Sequence, residues 1–147
     1  MNDLENIQRL TERFKRQMPN GEVYQKRLAE EFELILKQRF TEYFLKICDI
    51  IDITQDIKHM TRGSAGSSLV CYLLGITDVD PVKWNIPVAR FLNPLRDDLP
   101  DVDIDFEHWR QKDVMERIFK KWPGKTCLLY TSDAADEGLG VDLGGRR

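Results

Sequence analysis

Three aspartates stand at alternate positions in Leu99-Pro100-Asp101-Val102-Asp103-Ile104-Asp105-Phe106, with Val, Ile and Phe between and after them. Aspartate is a poor strand former, so its repetition in a strand-like alternation calls for a chemical reason. Successive side chains in a strand take opposite faces, which puts the three carboxylates on one side and the apolar residues on the other. Like charges on one face repel and raise one another's pKa values. A hard divalent cation relieves that repulsion, and carboxylate oxygens suit Mg²⁺. Taken alone, the octapeptide also reads as an acidic surface strand or a calcium-binding loop. Its spacing is compatible with Asp101 and Asp103 as a metal pair, and equally with Asp103 and Asp105.

A second constellation precedes it. The run His59-Met60-Thr61-Arg62-Gly63-Ser64-Ala65-Gly66-Ser67-Ser68 is rich in small residues and leads into Leu69-Val70-Cys71-Tyr72-Leu73-Leu74. It reads as a flexible Gly/Ser loop opening a helix, which Gly75 then ends. Helix N-termini present free backbone N–H groups and a positive dipole end, so they hold phosphate. Gly63 and Gly66 permit close backbone approach, Ser64 can cap the helix or donate to an anion, and Arg62 adds a charged fork. A plain serine-capped helix is the simpler alternative. Between the two constellations, Arg90 and Arg96 lie on the segment that approaches the acidic run. They are either surface charges or flank a site where anions and metal meet.

Helices must position these residues. Leu4, Ile7, Leu10 and Phe14 suggest a first one, and Met18-Pro19-Asn20-Gly21 supplies a turn after it. From Val23 to Arg39, the residues Tyr24, Leu28, Phe32, Ile35 and Arg39 follow three- and four-residue steps among charged neighbours. A third helix is expected from Thr41 to Ile57, with Phe44, Ile47, Cys48, Ile51 and Ile50 facing inward. Asp78-Val79-Asp80-Pro81 reads as a turn. A last helix is expected from Arg110 to Trp122 and is ended by Pro123-Gly124.

Composition sets the outer bounds. The 147 residues suit one domain or part of a larger one, and 41% apolar with 32% charged residues is ordinary for a globular protein. No apolar run approaches the roughly 20 residues a bilayer span needs, and the N-terminus lacks a secretory pattern. Cys48, Cys71 and Cys127 form no metal-ligand spacing, which favours a reducing, cytoplasmic setting. A net charge of −3 neither advertises nor excludes nucleic-acid binding. After Thr126 the composition shifts. Cys127 to Glu137 is similar to the translation of a transposase-type sequencing adapter, and Val141 to Arg147 is similar to that adapter's outer end, in the same order and frame. Residues 127–147 are therefore expected to be an adapter-derived artefact, disordered and outside the fold, with the natural sequence cut near Thr126.

The order of motifs carries a resemblance. Tyr43-Phe44-Leu45, Arg62-Gly63-Ser64 with its small-residue helix, and Ile76-Thr77-Asp78-Val79-Asp80-Pro81 come first. Arg90-Phe91-Leu92-Asn93-Pro94-Leu95-Arg96 and Pro100-Asp101-Val102-Asp103-Ile104-Asp105-Phe106 follow. From about Tyr24 to Trp122 the chain resembles the palm region of the bacterial DNA polymerase III alpha subunit, the C-family replicative polymerases.

The resemblance implies a helix-rich α+β fold, an incomplete polymerase-beta-like nucleotidyltransferase palm with preceding helices. Residues 1–40 would lead into the palm and residues 41–126 would form its first part. The implied function is template-directed DNA synthesis by two-metal nucleotidyl transfer from dNTPs to a primer 3′-hydroxyl. Asp101 and Asp103 would be the catalytic, metal-binding pair for two Mg²⁺ ions. Arg62, Gly63 and Ser64 would cradle the triphosphate, with Arg90 as a further phosphate contact. Primer–template DNA and dNTPs are the implied partners, joined in a full-length protein by the sliding clamp and other replisome subunits, with no membrane involved.

The chain departs from the family pattern at several positions. His59-Met60-Thr61 stands where Gly-Pro-Gly is usual, Ser67 stands for a glycine, and Ala89 and Leu95 each stand for a glutamate. The family's third catalytic carboxylate is expected beyond Thr126, so the 147-residue chain is expected to be inactive by itself. Two other readings are a non-catalytic nucleic-acid-binding or scaffold module and a template-independent nucleotidyltransferase.

Overall fold

The computed structural model describes residues 2–96 and 98–124. Helices α1 (Asp3–Glu12), α2 (Glu22–Gln38) and α3 (Thr41–Ile53) come first. They are followed by strand β1 (His59–Arg62), a 3₁₀ turn at Gly63–Ser67 and the short helix α4 (Leu69–Leu73). A second 3₁₀ turn, Val88–Arg90, precedes strand β2 (Asp103–Phe106), and helix α5 (Gln111–Lys121) closes the described chain. The adapter-like segment 127–147 lies outside the described residues. No helix among the described residues is long and apolar enough to cross a membrane.

The expected helices form, with shifted ends. Asn2 caps α1 by accepting the Leu4 N–H at 2.9 Å, and the apolar face expected there holds at Ile7 and Leu10 but leaves Leu4 in solvent. Helix α3 buries every residue expected to face inward: Phe44, Ile47, Cys48, Ile50 and Ile51. It stops at Ile53 rather than Ile57. The Thr54 hydroxyl donates back to the Ile50 carbonyl at 2.7 Å, and the chain then turns to bury Ile57 in the core. One contiguous core joins these helices to the strands, with Phe44 edge-on to both Tyr43 and Phe91.

Reading 59–68 as one flexible loop is corrected by the structure. His59–Arg62 is a strand, antiparallel to β2, with Arg62 opposite Asp103 and His59 opposite Phe106. Its partner is distant in the sequence, so no local pattern marks it. The result is a helix-rich α+β arrangement whose described sheet has two strands.

Candidate active site

The acidic run alternates as the residue types predict. Val102, Ile104 and Phe106 are buried, while Asp101 and Asp103 are exposed and Asp105 is half-buried. Burial of the apolar face against the helices fixes the register, because a one-residue slip would drive the carboxylates into the core. The Tyr43 hydroxyl, anchored on α3, donates to the Pro100 carbonyl and so fixes the backbone just before Asp101.

Strand β1 brings the Gly/Ser turn alongside. Gly63 takes φ +82°, and a Cβ placed there would lie 3.6 Å from Asp103 Oδ2, so the turn's backbone faces that carboxylate directly. The three aspartates share a face without converging: among the described residues no group of three or more His, Cys, Asp or Glu side chains could hold a metal ion. Asp105 is taken by Arg62, whose Nε lies 2.6 Å from Oδ2 and whose Nη2 donates to Oδ1 at 3.2 Å. Two expectations change accordingly. Asp105 is an ion-pair partner of the strand beside it, and Arg62 grips an acid where an open anion fork was expected.

The helix after the turn is also organised differently. Ser68, not Ser64, is the cap, its Oγ accepting the Cys71 N–H at 3.1 Å. The first amides of α4 are already committed: Leu69 and Val70 donate to the Glu31 carboxylate at 2.7 and 3.0 Å. Glu31 is wholly buried and also accepts from the Ser68 hydroxyl at 2.7 Å and from Arg27 Nε at 2.8 Å. Burial pushes the Glu31 carboxyl up, against the downward pull of the two amides, the hydroxyl and the guanidinium. Phosphate recognition at the N-terminus of α4 is therefore closed off by an internal acid. The Gly63–Ser67 turn lies ahead of it, outside this hydrogen-bond set of Glu31.

A cleft of about 90 Å³ gathers residues from separate segments, including Ser64 from the turn, Arg90 and Arg96 from the loop after Val88, and Asp101. Arg90 is exposed and makes no ion pair among the described residues. Gln38, at the end of α2, ties down the far side by donating to the carbonyls of Asn93 and Arg96 at 2.8 and 2.9 Å. The cleft thus joins Ser64, Arg90 and Asp101, while Gly63 meets Asp103 and Arg62 meets Asp105.

The departures from the family pattern acquire contacts here. The Ser67 hydroxyl donates to the Ser64 carbonyl at 2.5 Å and braces the turn. Thr61 donates to the Ile76 carbonyl, and His59 Nε2 lies 3.2 Å from the Gly75 carbonyl. Leu95 is 91% exposed, and nothing in the structure explains a leucine there. Cys48 and Cys71 are buried free thiols, with burial raising Cys48 to about 11, so neither is set up as a nucleophile or metal ligand.

Sequence reasoning missed Arg27, Glu31 and Gln38, and named Tyr43 in a motif without its contact to the Pro100 carbonyl. One signal was present for Glu31: it lies three residues after Leu28 and four before Ile35, on the apolar stripe itself.

Comparison with known proteins supplies the context for this geometry. Residues 4–132 match the bacterial DNA polymerase III alpha NTPase domain. The chain is 40% identical over 140 residues to the error-prone DNA polymerase of Pseudomonas syringae pv. tomato, covering 92% of this chain and 14% of that protein. It is 40% identical over 149 residues to the error-prone DNA polymerase of Rhodopseudomonas palustris, covering 94% of this chain and 12% of that protein. It is 43% identical over 106 residues to the DNA polymerase III subunit alpha of Staphylococcus aureus, covering 70% of this chain and 10% of that protein. The chain therefore spans between a tenth and a seventh of the length of these relatives.

Proposed function

Because the chain belongs to the bacterial DNA polymerase III alpha family, we propose that it forms the nucleotide-binding part of a polymerase that extends a primer on a DNA template. The cleft joining Ser64, Arg90 and Asp101, with the Gly63 backbone against Asp103, carries this reading. It is an anion-receptive turn and an exposed guanidinium, without an ion pair among the described residues, set beside two exposed carboxylates, the combination a metal–triphosphate requires. In this reading β1 and β2 begin a polymerase-beta-like palm, and residues 41–126 are its first part.

The donor set suits Mg²⁺. This ion keeps several waters and binds through one or two carboxylates plus substrate phosphates, which Asp101 and Asp103 beside a bound triphosphate would supply. Calcium, which takes 6–8 oxygens, is poorly matched. Asp103 rather than Asp105 partners Asp101, because Arg62 neutralises Asp105. When bound, two Mg²⁺ ions would activate the primer 3′-hydroxyl and neutralise the leaving pyrophosphate. Asp101 and Asp103 would hold them. The Gly63 and Ser64 backbone would orient the phosphates, and Arg90 would offset their charge, with Arg62 joining once it leaves Asp105. Catalysis would then rest on alignment and charge stabilisation. Primer–template DNA and dNTPs are the proposed substrates, in the cytoplasm, with a sliding clamp and replisome subunits as partners of a longer chain.

Titration calorimetry with Mg·dATP tests this. The chain is expected to bind it saturably, and Asp103→Asn is expected to abolish most of the heat. Equal binding by that variant, or binding indifferent to Mg²⁺, would overturn the metal assignment. The purified chain is expected to show no template-dependent incorporation. Nucleotide addition without a template would point instead to a template-independent transferase. Primer–template binding unaffected by Mg²⁺ and by Asp101→Asn would point to a scaffold.

A further inference from the structure

The two phosphate-facing residues of the cleft, Ser64 and Arg90, lie on different segments, the Gly63–Ser67 and Val88–Arg90 turns, which touch each other. A single buried ion pair on α2 reaches both. Arg27 Nη2 donates to the Ser67 carbonyl, at the end of the Gly63–Ser67 turn, and to the Ile86 carbonyl, just ahead of the Val88–Arg90 turn, each at 2.7 Å. Its Nε meets Glu31, i to i+4 along the helix, at 2.8 Å. Glu31 in turn binds the Ser68 hydroxyl and the amides of Leu69 and Val70. Ser67, the last residue of the turn, passes the constraint to the Ser64 carbonyl through its hydroxyl.

We propose that Arg27 and Glu31 are positioning residues for the nucleotide-phosphate site, holding the Ser64 turn and the Arg90 segment at the spacing a triphosphate needs. This rests on the nucleotide-binding reading above. A buried ion pair is a poor device for stability alone, since well-packed apolar residues of similar volume often serve as well or better. A planar guanidinium is a good device for geometry, because its rigid fork fixes two carbonyls at once. Three of the four hydrogen bonds to Glu31 come from Ser68, Leu69 and Val70 at the start of α4, directly after the Ser64 turn. The two carbonyls on Arg27 Nη2 belong to the end of that turn and to the residues just ahead of the Arg90 turn.

The test compares Glu31→Gln with Arg13→Gln in the 147-residue chain. Arg13 joins the end of α1 to Asp49 and Asp52 on α3 and takes no part in the cleft. Mg·dATP affinity is measured by calorimetry at a temperature where circular dichroism shows every protein folded, and the backbone amide signals of Gly63, Ser64 and Gly66 are followed by NMR. Glu31→Gln is expected to weaken binding about tenfold or more and to shift those amide signals, since small misplacements of positioning groups are costly. Arg13→Gln is expected to lower the melting temperature while leaving affinity within about twofold, as independent sites do. Wild-type affinity in Glu31→Gln, with the parent chain binding normally, would overturn the inference and leave the nucleotide reading intact. Absence of binding by the parent chain would overturn both.

Discussion

At Gly63 the backbone occupies the left-handed region with its open face toward Asp103, and the two facts have different costs. The 3.6 Å to Oδ2 is ordinary contact, so space is not the obstacle to a side chain there. The φ of +82° is. Gly63→Ala is expected to lower stability by about 1–2 kcal/mol in urea titrations, the cost of an L residue in this conformation. A loss of only a few tenths would mean that the turn relaxes freely. At this scale the sequence was informative about faces and weak about partners. The Asp101, Asp103 and Asp105 alternation was readable because side-chain direction in an extended run depends on nothing beyond the run itself. Which serine caps α4 was not readable, since Ser64, Ser67 and Ser68 are chemically alike and only the approach of Glu31 selects Ser68. The place of Glu31 on the apolar stripe of α2 marks it for burial, but the amides that receive it lie on α4 and no local pattern names them.

Helix α5 is held against the loop after α3 by charge. Arg117 contacts Asp56 at 2.6 and 3.0 Å and Asp113 at 3.0 Å, and donates to the Ile53 carbonyl at 2.9 Å. Arg110 bridges the same two acids. Hydrogen bonds from these guanidinium groups hold the Asp56 and Asp113 carboxyls below the usual 3.8. Acids depressed by folding contribute stability that is present above their unfolded pKa and lost as pH falls through the folded one. The melting temperature should therefore be flat in this respect above about pH 5 and fall below about pH 4. Arg117→Gln should melt lower near neutrality and show a shallower acid limb; an identical limb would remove these acids from the account. Helices α1, α2, α3 and α5 were legible from their apolar spacing. The end of α3 was not, because no Gly or Pro marks it and the stop depends on burying Ile57. Strand β1 was not, because its reason for being a strand lies far along the chain.

Among the described residues of the molecule, Leu4, Val23, Met60, Trp84, Leu95 and Trp109 are large apolar side chains left more than 65% exposed, and the described two-stranded sheet is marginal by itself. Self-association is the expected outcome at high concentration, because open strand edges invite pairing. Leu95→Glu should leave stability within about 0.5 kcal/mol, as for most surface changes, and raise the monomer fraction in sedimentation velocity. An unchanged monomer fraction would assign the association to the strand edges. The antiparallel pairing of β1 with β2 also has a consequence in time. Arg62 faces Asp103 across the sheet, yet the whole of α4, the Arg90 turn and their loops must be made before the second strand exists. At ordinary rates of translation that delay is on the order of seconds. During it the growing chain carries the Gly63–Ser67 turn without the acids, and an unmated strand that any chaperone or neighbouring nascent chain could claim first.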